Sequence, residues 1–85
     1  MTPAEELSAA AFQLRNPFHG RGLKLPVDHQ VADPLAGLLD RHAEFAALFA
    51  DLWHAKTGGT AAESQYTAEI RSALVVARVI NGEQQ

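Results

Sequence analysis

Three stretches of the chain repeat their apolar residues at spacings of three and four, the period of one helix face. In the first, Leu7, Ala10, Ala11 and Leu14 share a side. Thr2 is placed to cap this helix, Pro3 suits its first position, and Glu5 completes a capping box. Asn16–Pro17 stops it, because the residue before a proline avoids the α region. Phe12 points off the apolar side, either under the following loop through Phe18 or towards a partner.

The second stretch is the strongest. Asp33 is a good N-cap and Pro34 a good first residue, and Asp28 offers a cap for one earlier turn. The pattern runs to about Ala55 and closes at "TGG", where Gly58 or Gly59 takes the left-handed conformation. At about 100° per residue, Leu35, Leu38, Leu39, Phe45, Phe49, Leu52 and Trp53 cover one broad arc. Asp40, Glu44 and Asp51 lie on the other side and read as a solvated stripe. The broad arc is the expected core-facing side.

A third helix is expected from a capping box at Thr60 and Glu63 to Asn81, with Gly82 just past its end. Its main apolar face is Tyr66, Ile70, Ala73, Leu74, Ala77 and Ile80. Val75 and Val79, with Ala68 and Ser72, make a second, narrower stripe. A helix apolar on more than one side is buried on more than one side. The leading expectation is burial between two helices of the same chain, and the other is a subunit interface.

Between the first two helices, residues 17–32 contain two glycines and two prolines and read as an extended loop. Leu23, Leu25 and Val27 alternate with other residues at the period of a strand, with no second strand in the chain to pair with. The expected architecture is therefore all-α. It is a small three-helix domain spanning 1–85, with an N-terminal helix, two long antiparallel helices and an extended loop at about 17–32. Its expected core holds Leu7, Leu14, Leu38, His42, Phe45, Phe49, Leu52, Trp53, Ile70, Leu74 and Ala77.

Composition narrows the function. A chain of 85 residues buries only about 60–65% of its unfolded surface, so a partner chain would add stability. There is no cysteine, hence no disulfide framework or thiolate metal site. No apolar run reaches the roughly 20 residues of a membrane span, and glutamates stand near the N-terminus where a signal peptide carries basic residues. A cytoplasmic protein without a membrane segment is expected. The net charge of −3 and the scatter of the basic residues argue against nucleic acid.

Candidate chemistry is sparse. His42 falls near the middle of the second helix's apolar arc and reads as a structural core histidine, hydrogen-bonded to a backbone carbonyl or to Tyr66. An unpaired buried imidazole costs roughly 1–3 kcal/mol, so a partner is expected. No nucleophile or orienting carboxylate shares its face, so no catalytic role follows. His19, His29, His42 and His54 include no pair at the spacing that sets two ligands on one helix face. Asp51 and His54 read as a solvated pair. "HGRG" at 19–22 lacks the glycine spacing of a phosphate loop and does not open a helix. No cofactor and no metal site is expected.

"TPAEELSAAAFQLR", "ADPLAGLLD" and "ALVVARVINGEQ" resemble segments of short, alanine-rich helical proteins of actinobacteria and their phages. The similar close is carried here by Ala77, Arg78, Asn81 and Gly82. The resemblance implies a phage- or mobile-element-linked context and no activity. The expected function is a non-enzymatic protein-interaction module that presents helix faces to another protein, a second copy included. Phe12, Val75 and Val79 are its candidate interface. The alternative is a nucleic-acid-binding accessory using the third helix, through Ser64, Gln65, Thr67 and Arg71.

Overall fold

The structure is a computed structural model that describes residues 1–15 and 29–82. Among them are three α-helices: α1 (Pro3–Arg15), α2 (His29–Thr57) and α3 (Ala68–Ile80). A single 3-10 turn, Glu63–Gln65, precedes α3. The domain is all-α, with no strand among the described residues. Leu23, Leu25 and Val27 lie outside them.

Local signals account for most of the helix ends. The Thr2 hydroxyl accepts from the Glu5 amide at 3.1 Å, and the Thr2 amide donates to the Glu5 carboxylate at 2.9 Å. This is the reciprocal cap the sequence implies. Gly58 and Gly82 both take positive φ, 77° and 75°, and close α2 and α3.

Two starts differ from expectation. α2 begins at His29 and not at Pro34, so the earlier turn that the sequence offers after Asp28 belongs to the helix and residues 29–32 do not belong to the loop. Pro34 sits in its second turn, where one backbone hydrogen bond is forgone and the fixed φ is already helical. α3 begins at Ala68 and not at Thr60, with Thr67 as its cap: the Thr67 hydroxyl accepts from the Ile70 amide at 3.3 Å. Residues 63–65 instead form the 3-10 turn, and Gln65 Oε1 accepts from the Ala62 amide at 2.7 Å. At 13 residues α3 is short, so α2, with 29, is the one long helix.

α1 lies against both other helices, while α2 and α3 touch each other least. The buried side of α1 is Glu6, Leu7, Ala10, Ala11 and Leu14, and that of α3 is Ile70, Leu74, Ala77 and Ile80. Both agree with the periodicity. α2 does not. Its buried side chains are Ala32, Ala36, Leu39, Ala43 and Ala46. Leu38, Phe45 and Leu52 of the expected core are more than half exposed, and His42, Phe49 and Trp53 are half-buried.

The cause is a roll of the helix. Ala32, Ala36, Leu39, Ala43 and Ala46 are spaced by four, three, four and three residues. Val31, Leu35, Leu38, His42, Phe45, Phe49 and Leu52 repeat the same spacing one residue earlier. The two rows therefore lie about 100° apart around one helix. Ala10 and Ala11 of α1 are fully buried, and facing rows of small side chains let α1 and α2 approach closely. The large side chains are left on the outer flank.

An ion-pair clasp locks α3 onto α1. Arg78 Nε donates to Glu6 Oε1 at 2.8 Å, and Arg78 Nη2 donates to Glu63 Oε1 at 2.6 Å. The Asn81 amide group donates to the Glu6 carbonyl at 3.1 Å and accepts from Gln13 Nε2 at 2.6 Å. Glu6 is 7% exposed, the one charged residue in the core among the described residues. Hydrogen bonds to Glu63 first, then to Glu6, raise the Arg78 pKa. The same Arg78 bond holds the Glu63 carboxyl below its ordinary 4.5, against a smaller upward push from burial. The acidic side of α2 is also engaged: Arg15 Nη1 reaches Asp40 Oδ2 at 2.6 Å.

Candidate functional site

The outer flank of α2 carries Leu38, Phe45, Leu48 and Leu52, all more than half exposed. They follow one another at seven, three and four residues, so they form one contiguous strip. Beside this strip, the shallow meeting of α2 and α3 leaves an open trough. One part, of about 430 Å³, is bounded by Phe45, Leu48, Phe49, Leu52 and Ile70. The next part, of about 450 Å³, is bounded by Leu38, Ala73 and Val76. His42 and Glu69 border both.

His42 is thus half-buried at the trough and not in the core. Its Nδ1 donates to the Leu38 carbonyl at 2.9 Å. A carbonyl only accepts, so the proton sits on Nδ1 and Nε2 is the nitrogen left over. The expected hydrogen bond to a backbone carbonyl is present, and Tyr66 is not the partner. Tyr66 packs instead on Phe49, with ring centroids 4.8 Å apart, and burial pushes its phenol pKa up. Phe49 in turn stacks on Trp53 at 5.9 Å. The His42 ring meets Phe45 edge-on at 6.4 Å. Its surroundings are those of an apolar flank with one polar edge.

Phe12, Val75 and Val79 are 55%, 62% and 38% exposed. By the ~100° step, Phe12 lies on the side of α1 opposite its buried row. Val75 and Val79 likewise lie opposite the buried row of α3. Each therefore projects outward from its own helix, and burial of the valine stripe by a second helix of this chain does not occur. Periodicity places the α2 strip in the core, and the structure places it on the surface. The signal was present: two apolar rows one residue apart exceed what a single short neighbour covers.

Other candidates resolve into local roles or remain dispersed. Of the four residues considered for nucleic acid, Gln65 and Thr67 serve as caps. Ser64 and Arg71 are exposed. Asp51 and His54 are exposed on α2. No group of three or more His, Asp or Glu residues that could hold a metal occurs among the described residues. The "HGRG" segment lies outside them. No helix among them is long and apolar enough to cross a membrane.

No family model matches the chain, and no curated protein or solved structure does either.

Proposed function

We propose that the chain is a non-enzymatic protein-interaction module whose docking surface is the outer flank of α2. One observation carries this reading: the buried row of α2 is alanine but for Leu39, whereas Leu38, Phe45, Leu48 and Leu52 are all more than half exposed. Burying apolar area is worth roughly 25 cal/mol per Å², so a helix that keeps its larger side chains outside leaves most of that gain unused by its own fold. Large contiguous apolar strips of this kind mark protein contacts. The trough between α2 and α3 extends the surface and has the apolar walls that receive a helix. Phe12, Val75 and Val79 fall outside this strip and are secondary.

The test is photo-crosslinking in the cells that express the chain, with the photoreactive residue at Leu48 and, as control, at Asp51. Both positions are exposed on α2, one on the apolar flank and one on the acidic side. Protein adducts, including a second copy, are expected from Leu48 and not from Asp51. Equal yields from the two positions would remove the proposal.

A further inference from the structure

We infer that the occupant of this flank is the α2 helix of a second copy, running antiparallel about a two-fold axis that crosses the outer flank at the level of residue 43. The inference rests on the docking reading above and adds the partner and its register.

The spacing comes first. Val31, Leu38, Phe45 and Leu52 recur every seventh residue, and all four are more than half exposed. Pro34, Arg41, Leu48 and Ala55 form a second exposed column three residues on. Two adjacent columns at a seven-residue repeat are the pattern by which helices wind on one another, knobs into holes. A partner helix must match this strip in length. α2 is about 43 Å long at 1.5 Å per residue and spans the long dimension of the molecule, 41 Å. α1 and α3, with 13 residues each, are less than half as long. The helix of this chain that fits is α2 itself.

Charge then selects direction. Arg41 is the one charged residue in the two columns, and it makes none of the ion pairs recorded among the described residues. In a parallel pair, the two copies of Arg41 would face each other across the axis, which disfavours association. In an antiparallel pair centred at the level of residue 43, Arg41 falls opposite Phe45 of the second copy. There the guanidinium lies on an aromatic face, a favourable contact. The same axis sets Leu38 opposite Leu48, Leu52 opposite Pro34, and Val31 opposite Ala55. Every other apolar position meets an apolar one, as a self-complementary two-fold interface requires. Antiparallel helices also oppose their macrodipoles.

Val31, Leu38, Phe45, Leu48 and Leu52 are each more than half exposed, and in a two-fold pair each enters the interface twice.

Sedimentation equilibrium on the full chain, up to millimolar concentration, reads the stoichiometry. A dimer is expected for the wild type. Leu48→Glu, or Leu52→Glu should the first lose helicity by circular dichroism, raises the dissociation constant at least about a hundredfold, because each substitution enters the interface twice. The chain has no native cysteine, so direction is read by mixing Leu38→Cys with Leu48→Cys under mild oxidation. The mixed disulfide is expected to dominate over both symmetric ones. A monomeric wild type overturns the second copy as occupant, while Leu48 adducts with another protein would still uphold the docking reading. A dimer that survives both glutamate substitutions overturns the face, and dominant symmetric disulfides overturn the register.

Discussion

Leu38 and Leu39 are neighbours in sequence and identical in chemistry, and they sit on the two apolar rows of one helix. Leu39 is 1% exposed and Leu38 is 52% exposed. The inner row is otherwise alanine and buried; the outer row holds the large side chains, of which Val31, Leu38, Phe45 and Leu52 are more than half exposed. The difference teaches that bulk does not decide which side of a helix faces the core. The neighbour decides, and α1 presents Ala10 and Ala11, a surface shaped for small side chains.

The contrast is broken most directly by truncating each leucine. Leu39→Ala should cost about 2–5 kcal/mol in chemical denaturation of the dilute chain. Leu38→Ala under the same conditions should cost less than about 0.5 kcal/mol. Similar losses at the two positions would mean that the outer row also supports the fold, and the functional reading would fall with that result.

A slightly smaller effect tests why the trough stays open. Arg78 ties α3 to α1, not to α2. Arg78→Met would strand the buried Glu6 carboxylate and should cost about 2–3 kcal/mol, below the usual range for a buried pair because the arginine remains partly in water. Adding Glu6→Leu should restore most of that loss, since two apolar groups replace the pair. Overfilling the inner row ranks next. Ala36→Leu should cost about 1–2 kcal/mol, because the side chain of Ala36 is fully enclosed and added methyl groups would overfill the row. An equally bulky Ser72→Leu, on the exposed side of α3, should be close to neutral.

The smallest expected effect is on pH. Glu63 has a lowered pKa in the folded chain, so its bond to Arg78 contributes fully above the ordinary 4.5 and is lost as pH falls through the lowered value. The pair is half exposed on the Glu63 side, so the loss should not exceed about 1 kcal/mol. Denaturation curves of wild type and Glu63→Gln should differ at neutral pH and converge once the pH has fallen below the lowered value. A gap that persists in acid would assign the effect to something other than this carboxylate.

Much of this structure is legible in the residues. α1 follows from Thr2, Pro3 and Glu5 at one end and from its apolar row, all of it local. Gly58 and Gly82 mark real helix ends because positive φ is a local demand. The buried face of α3 is legible since it has one dominant row. The roll of α2 is not, because two rows of equal period lie one residue apart and periodicity alone ranks the bulkier one inside. Nor is the clasp, whose partners Glu6 and Arg78 are 72 positions apart. The exposed strip is not legible for the same reason as the roll: its period is that of a core-facing row.

Trp53 is the single tryptophan of the chain, half-buried, with its indole stacked on Phe49, a residue that lines the trough. The molecule thereby carries a built-in optical reporter where an occupant would arrive. A change in the wavelength or polarisation of its emission would register binding there without any dye, tag or added chromophore.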